Sequence, residues 1–159
     1  MQKQYDPDHY KVVFCSSAPI GVPFLQALFD DNRFEVVGAV TMPDAPSGRG
    51  MEMHENVIKS EALKFKTKTD FVCTPTKLNP EKSEEGKQFA EWLKSKNPDF
   101  LVVIAYGKII PQTILDIPNI APINVHGSLL PKYRGASPLQ SAFLDNEAET
   151  GITIMKMNA

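Results

Sequence analysis

The sequence predicts an α/β fold with a mostly parallel central sheet flanked by helices, and three observations carry that prediction. Short β-branched runs alternate with segments of helical apolar spacing, which is the pattern of strand–helix–strand units. Residues 100–105 are apolar without alternation, so both faces of this strand should be covered by helices. Polar side chains end a further apolar run, residues 120–126, at the position where α/β sheets bind ligands.

The first part of the chain predicts strands at residues 11–15 and 34–41, because both runs are short, apolar and rich in β-branched side chains. Residues 19–31 between them predict a helix, with Pro23 early enough that its missing N–H is harmless. The apolar side chains at helical spacing there are Phe24, Leu25, Leu28 and Phe29. Residues 42–53 then predict a loop, because Pro and Gly recur within a dozen residues.

The middle of the chain predicts two helices and a short strand. Residues 54–66 place apolar side chains on one helical face, and residues 70–73 form a short apolar run. A second helix is predicted from Pro80 to Lys96, with Asn79 as its N-cap and Pro80 at the first helical position.

Around the strand 120–126, the sequence predicts three further elements. Residues 109–115 are long enough for one or two helical turns before that strand. Ser137 and Gln140 have the spacing of a capping box, which predicts a helix starting there with Pro138 at its first position. Residues 151–157 alternate as a half-buried strand does.

Composition indicates one globular domain, with 42% hydrophobic and 23% charged residues in 159. The net charge of -2 gives no overall attraction to nucleic acid or an anionic membrane, so such contacts must come from a local patch. No apolar run approaches the roughly 18 residues of a membrane span, and the polar start does not match a signal peptide, so we expect a soluble, cytoplasmic protein. Cys15 and Cys73 lack the spacing of a metal site or redox pair; we expect two buried free thiols and no bound metal.

The most informative feature of the sequence is the polar pair Asn124 and His126. Residues i and i+2 of a strand point to the same face, so this amide and this imidazole should project together while Val125 packs on the other side. A loop rich in Gly and Pro follows directly. The sequence therefore predicts a reaction site at the carboxyl end of this strand.

The segment that runs Asn-x-His-x-Ser-Leu-Leu-Pro from Asn124 resembles the signature of the folate-dependent formyltransferases, and in particular of the branch that acts on aminoacylated tRNA. The resemblance extends through residues 102–111, 123–138 and 149–155. Upstream, Pro43-Asp44 and residues 47–50 look like that family's loop after the second strand. Nearly the whole chain is therefore covered.

The resemblance implies a Rossmann-like formyltransferase domain that moves a formyl group from 10-formyltetrahydrofolate to the α-amine of methionyl initiator tRNA. Amine attack builds negative charge on the formyl oxygen, which the Asn124 amide or a protonated His126 is suited to stabilise. The attacking nitrogen must also lose a proton, and an imidazole is suited to accept it. The sequence leaves open whether His126 acts as a general base or as an electrostatic stabiliser.

The resemblance also implies binding residues for both substrates. Four residues match the family loop that lines the folate site: Ser128, Leu129, Leu130 and Pro131. Arg49 matches a basic residue in a loop that contacts the tRNA acceptor arm, and a guanidinium suits phosphate or base contacts. Glu52, close to Arg49 in sequence, would partly neutralise that patch.

The sequence departs from the family pattern in three places. The family's third catalytic group is an aspartate on a loop after the last strand, and it has no counterpart in these residues; the family's basic C-terminal tRNA-binding domain is absent too. Residues 1–159 are therefore expected to be an N-terminal formyltransferase domain, incomplete at its C-terminal end, with little or no activity alone. Ser16-Ser17-Ala18 stands where the family usually has Gly-Thr-Pro.

Other functions stay open at this stage. A formyltransferase acting on a sugar nucleotide or on glycinamide ribonucleotide would use the same folate chemistry with a different amine. A non-catalytic folate-binding module is a third reading, favoured by the missing aspartate. A dinucleotide-binding domain is disfavoured, because no Gly-x-Gly-x-x-Gly follows the first predicted strand.

Overall fold

The computed structural model describes residues 9–47, 52–67 and 70–158. Its strands are β1 (Tyr10–Ser16), β2 (Phe34–Val40), β3 (Ala45–Ser47), β4 (Glu52–His54), β5 (Val72–Cys73), β6 (Phe100–Ile104), β7 (Ala121–His126) and β8 (Thr153–Lys156). Its α-helices are α1 (Val22–Asp30), α2 (Val57–Phe65), α3 (Glu84–Lys96), α4 (Gln112–Leu115) and α5 (Pro138–Leu144), and a 3-10 turn, Pro19–Gly21, precedes α1.

Six strands form one sheet in the order β5-β2-β1-β6-β7-β8. All neighbours pair in parallel except β8, which lies antiparallel to β7 at the edge. Strand β1, which is buried from Val12 to Ser16, lies inside the sheet between β2 and β6, as its apolar run requires. The prediction of a mostly parallel central sheet flanked by helices is confirmed.

Helices cover both faces of this sheet. On one face, α1 and α2 bury Leu25, Ile58 and Ala62 against Phe14 of β1. On the other face, α3 and α4 belong to a cluster in which Leu93 and Ile114 are completely buried. The two layers leave the carboxyl ends of the parallel strands, and the loops that follow them, as the edge where a ligand can approach. None of the described helices is both long and apolar enough to cross a membrane.

The prediction that residues 42–53 form a plain loop is wrong, because β3 and β4 pair there as a two-stranded antiparallel ribbon. His54 belongs to β4, so the second helix begins later than predicted, at Val57. Its N-cap is Asn56, whose side chain accepts a hydrogen bond of 2.9 Å from the Ile58 N–H. Pro and Gly content indicates a break in regular structure but does not show a short ribbon.

One predicted helix cap is wrong and another is confirmed only in its position. The helix predicted from Pro80 starts at Glu84, where Ser83 is the N-cap and accepts from the Gly86 N–H at 3.0 Å. Asn79 instead accepts from the Glu81 N–H in the preceding turn, which is the competing use of an Asn side chain. Helix α5 starts at Pro138 with Ser137 as its N-cap residue, as predicted, but the Ser137 side chain makes no cap hydrogen bond, and its ψ of 52° departs from the extended conformation that a capping residue adopts.

The two cysteines are free, as predicted, with Cys15 buried and Cys73 half-buried. Burial raises the pKa of Cys73 to about 11, and it raises the pKa of Cys15 well above its usual range. Both thiols therefore stay protonated at neutral pH and behave as small apolar side chains.

Candidate active site

Asn124 and His126 lie at the carboxyl end of β7, on the face opposite Val125. Val125 packs against the cluster that contains Phe14, so the alternation predicted from sequence is the one the strand adopts. Asn124 lies between Val103 of β6 and Met155 of β8, and both members of the polar pair are half-buried. The pair is thus fixed in regular structure rather than in a loop.

The side chain of His126 is held by the loop that follows it. Its Nε2 lies 2.9 Å from the carbonyl oxygen of Tyr133. Tyr133 adopts the left-handed conformation, with φ at 56°, which turns the loop back toward the end of β7. Within the described residues, the Asn124 carboxamide has no hydrogen-bond partner, so its two N–H donors are available to a ligand.

The four residues predicted to bind folate have different environments. Ser128 is completely buried, and its hydroxyl donates to the Lys132 carbonyl at 2.8 Å, so its side chain closes the loop from inside. Leu129 is 50% exposed, Leu130 is half-buried and Pro131 is exposed. The loop therefore exposes apolar side chains to solvent, while the Ser128 hydroxyl makes a hydrogen bond inside it.

Thr153 at the start of β8 is a site residue that the sequence reasoning missed. Its hydroxyl donates to the Ser128 carbonyl at 2.7 Å and accepts from the Leu130 N–H at 3.1 Å. Thr153 also lies opposite His126 in the pairing of β7 with β8. It therefore holds the loop beside the strand position that carries the imidazole. The alternation of residues 151–157 indicated a strand, but it gave no indication of which residue lies across from His126.

A second group of missed residues anchors the outer part of the loop. The single hydrogen of the Tyr133 phenol is shared between Asp145 and Glu147, whose oxygens lie 2.9 and 2.8 Å from the phenol oxygen, and Lys132 forms an ion pair with Glu147 at 2.8 Å. Lys132, and secondarily the Tyr133 phenol, lower the pKa of Glu147. Desolvation, together with the two carboxylates, raises the pKa of Tyr133 well above its usual range. The phenol therefore keeps its hydrogen, which it shares between the two carboxyl groups.

Arg49, the predicted tRNA contact, lies outside the described residues. The base of the ribbon that leads to it is described. Asp44 forms an ion pair with Lys59 at 2.6 Å and accepts from the Asn56 N–H at 3.0 Å, while Asn56 donates to the Ser17 carbonyl at 3.3 Å. Ser17 also accepts from the Met42 N–H at 3.0 Å. The ribbon is thereby tied to the loops after β1 and before α2.

Exposed apolar side chains also lie in the segments after β6 and before β8, at the edge of the sheet that carries the polar pair. Ile109, in the loop after β6, is 92% exposed, and the neighbouring Lys108 ammonium donates to the carbonyls of Pro75 and Thr76 at 2.9 and 2.7 Å. Ile152 before β8 is exposed as well. Hydrophobic walls with a few fixed polar groups are typical of small-molecule sites. In the described part of the chain, no three His, Cys, Asp or Glu side chains are grouped so that they could share a metal ion.

A mostly parallel sheet flanked by helices places this chain in the class of Rossmann-like domains, which bind ligands at the carboxyl ends of their strands. The particular family follows from the sequence: residues 11–159 match the formyl transferase family, and the chain belongs to it.

Relatives and solved structures agree with this membership. The chain is 42% identical over 147 residues to the methionyl-tRNA formyltransferase of Sulfurihydrogenibium sp., which covers 92% of this chain and 44% of that protein. It is 42% identical over 148 residues to the enzyme of the same name from Clostridioides difficile, covering 93% of this chain and 45% of that protein. The chain therefore spans about 45% of the length of these relatives.

Solved structures share the fold at low identity. Glycinamide ribonucleotide transformylase 1 from Symbiobacterium toebii aligns over 99% of this chain and 71% of its own, with a TM-score of 0.69 at 19% identity. A 4-N formyltransferase from Francisella tularensis aligns over 94% of this chain and 50% of its own, with a TM-score of 0.56 at 13% identity. The Rossmann-like architecture predicted from the resemblance is confirmed by this likeness.

Proposed function

We propose that this chain is the formyl-transferring part of a methionyl-tRNA formyltransferase, which moves the formyl group of 10-formyltetrahydrofolate to the α-amine of methionyl initiator tRNA. The observation that supports it most is the pairing of Asn124 and His126 on one face of β7, with the imidazole fixed by the loop and the amide left free among the described residues. The relatives at 42% identity carry this name.

The proposed reaction is an acyl transfer. The methionyl nitrogen forms a bond to the formyl carbon, the carbonyl electron pair moves to oxygen, and one amine proton passes to His126. The bond from the formyl carbon to N10 of the folate then breaks, the carbonyl re-forms, and the imidazolium returns its proton to N10. Proton transfer by a positioned group typically contributes roughly 10²–10⁴-fold to such a rate.

Asn124 is proposed to stabilise the negative charge on the formyl oxygen. A donor on a strand is positioned before the reaction begins, so no reorganisation is needed when the charge develops. Replacing Asn124 by Ala should lower the transfer rate by roughly 10²–10³-fold, the usual effect of deleting one such donor.

Folate is proposed to bind at the carboxyl edge of the sheet, between the loop residues Leu129, Leu130 and Pro131 and the exposed Ile109 after β6. Ser128 would contribute through the shape of the loop, because its hydroxyl is already bonded to the Lys132 carbonyl. Initiator tRNA is proposed to contact the ribbon and Arg49, which supplies positive charge locally on a chain whose net charge is -2.

The domain assignment is part of the proposal: residues 1–159 correspond to the N-terminal portion of the relatives' formyltransferase domain. The carboxylate and tRNA-binding domain expected from the resemblance would then be supplied by further sequence. On this proposal, the 159 residues bind folate, and transfer is measured both on them and on a version extended to the relatives' length.

Calorimetric titration with 10-formyltetrahydrofolate tests the folate surface. Leu129→Asp and Ile109→Asp should each weaken binding, whereas Phe143→Asp, which changes an 84% exposed apolar residue on α5, should leave it unchanged. Equal affinity in all four proteins would contradict the proposed surface.

Transfer of a labelled formyl group identifies the acceptor. In the version extended to the relatives' length we expect label on methionyl-tRNA, with His126→Ala and Asn124→Ala strongly impaired, and we expect little or no label with the 159 residues alone. Label on glycinamide ribonucleotide or on a sugar nucleotide would identify that compound as the acceptor instead. Folate binding without transfer to any acceptor, in the extended version as well, would identify a non-catalytic folate-binding module.

A further inference from the structure

We propose that Tyr133 is a positioning residue for His126: its carbonyl holds the imidazole in the tautomer that carries hydrogen on Nε2, and its phenol holds that carbonyl in place. The role in catalysis rests on the function proposed above, whereas the positioning itself is a property of this chain alone.

The tautomer follows from the chemistry of the acceptor. A backbone carbonyl oxygen accepts hydrogen bonds and has no hydrogen to donate. At 2.9 Å from the Tyr133 oxygen, Nε2 of His126 must therefore carry the hydrogen. In the neutral ring the lone pair is then on Nδ1, because the bond made by one ring nitrogen determines the state of the other.

The Tyr133 carbonyl is fixed from both sides of the loop. Tyr133 has a φ of 56°, a conformation that a non-glycine residue keeps only when its surroundings hold it. On the inner side, the buried Ser128 hydroxyl lies 2.8 Å from the Lys132 carbonyl and 3.5 Å from the Tyr133 carbonyl. On the outer side, the phenol donates to Asp145 and Glu147.

The two carboxylates are themselves attached to the end of α5. The Asp145 N–H donates to the Ser141 carbonyl at 3.0 Å, and the Glu147 N–H donates to the Ala142 carbonyl at 3.0 Å. Lys132 neutralises part of their charge through its ion pair with Glu147. Hydrogen bonds at both ends of Tyr133, one at its phenol and one at its carbonyl, thus connect the end of α5 to the imidazole.

This arrangement assigns the proton-accepting atom of the proposed reaction. The methionyl nitrogen would form its bond to the formyl carbon while Nδ1, rather than Nε2, takes the amine proton. Nε2–H would keep its bond to the Tyr133 carbonyl throughout, so the ring would not need to rotate between accepting the proton and returning it to N10.

Nitrogen-15 NMR of the 159-residue chain, labelled at histidine, tests the positioning without folate or tRNA. His126→Gln assigns the signals, since His9 and His54 are the only other histidines. In the wild type, at a pH high enough for the ring to be neutral, we expect a single tautomer with its hydrogen on Nε2. We also expect this Nε2–H proton to exchange slowly with solvent. Tyr133→Phe should accelerate that exchange by roughly two- to tenfold, the factor that corresponds to one net hydrogen bond.

Two controls separate positioning from general destabilisation. Tyr10→Phe removes a phenol at the start of β1, at the opposite end of the sheet, and should leave the His126 signals unchanged. The double change Asp145→Ala with Glu147→Ala should accelerate the Nε2–H exchange as much as Tyr133→Phe does. The triple variant should show no further acceleration, because all three changes remove the same interaction.

Hydrogen on Nδ1 in the wild type, or His126 signals unaffected by Tyr133→Phe, would overturn the positioning role. Either result would leave the proposed formyl transfer standing. Conversely, a fixed Nε2–H tautomer in a chain that neither binds folate nor transfers formyl would refute the proposed function and leave the positioning intact.

Discussion

Thr153 shows how much of the site depends on single hydroxyl groups. It is the only described side chain that bonds both Ser128 and Leu130, and it does so from the strand that pairs with His126. Replacing it with Val keeps the shape but removes both bonds, leaving a peptide N–H and a carbonyl without partners at a half-buried position.

We expect Thr153→Val to destabilise the chain by about 1–3 kcal/mol, the usual effect of leaving such groups unpaired, and to weaken folate binding through the displaced loop. Urea unfolding and calorimetric titration measure the two effects. Thr150→Val is the matched control, because Thr150 is exposed and lies outside the bonds of the loop. Equal loss of stability in both variants would refute the role given to Thr153.

For single residues, the sequence alone predicts the relative orientation of Asn124 and His126, but not the residues that contact them. The i, i+2 relation of Asn124 and His126 is a property of any strand, so it could be predicted. Tyr133, Thr153 and Glu147 meet the pair only through loop conformation and strand pairing. Neither of these follows from local spacing.

Among the elements, α3 depends on a close approach at its first turn. A Cβ atom added at Gly86 would lie 2.2 Å from the Asn79 carbonyl oxygen and 2.4 Å from its carbonyl carbon, both backbone atoms. The chain before α3 therefore crosses its first turn where only glycine fits.

Gly86→Ala should destabilise the chain by about 1–3 kcal/mol, since backbone overpacking outweighs the better helix propensity of Ala. Thermal or urea unfolding measures the change. Lys87→Ala, at the exposed next position, should be close to neutral. A stabilised Gly86→Ala variant would contradict the close approach.

The ion pair between Asp44 and Lys59 at the base of the ribbon should make stability depend on pH. Lys59 first, and then the Asn56 N–H, hold the pKa of Asp44 below its ordinary value. A carboxyl group whose pKa is lowered by folding contributes stability above its ordinary range, and that contribution is lost as the pH falls through the folded value.

The melting temperature of the wild type should therefore exceed that of Asp44→Asn near neutral pH, and the difference should shrink as the pH falls below about 4. Glu91→Gln, an exposed substitution on α3, is the control for general charge effects. A difference that is constant across this pH range would refute the contribution of the ion pair.

Element boundaries show where sequence reasoning ended. The prediction of a helix from Pro80 used Asn79 as a cap, but Asn79 bonds within a turn, and the helix begins at Glu84 with Ser83 as its N-cap. Both residue types suit both positions, so tertiary contacts, here the crossing at Gly86, decided the outcome. The ribbon after β2 was missed because its strands have only three residues each.

Across the whole molecule, exposed large apolar side chains are concentrated after β7. Phe143 and Leu144 are 84% and 81% exposed, and further members of the group are Leu129, Leu139, Ile152 and Ile154. Patches of this kind on isolated chains favour association.

The chain should therefore associate as its concentration rises, as measured by sedimentation velocity. Phe143→Lys with Leu144→Lys should reduce association without lowering the melting temperature, because both side chains are largely exposed. Met53→Lys, a substitution at an exposed residue of the ribbon, should reduce association less. A concentration-independent monomer would contradict the prediction.

Fold class was the best predicted property at this scale. Unbroken apolar runs at β1 and β6 require cover on both faces, which only helix layers on a parallel sheet provide. The alternation of residues 151–157 fits the half-exposed, antiparallel strand β8, but alternation does not indicate that β7 is the strand it pairs with.

The acceptor for His126 also has a consequence for genetics. It is a peptide oxygen, which every amino acid at position 133 supplies, so no codon change deletes it directly. A saturation screen would detect this contact only through residues that displace the peptide, such as Pro, which cannot adopt a positive φ. Ester substitution of the backbone, introduced by chemical synthesis, would weaken that oxygen as an acceptor while leaving every side chain in place.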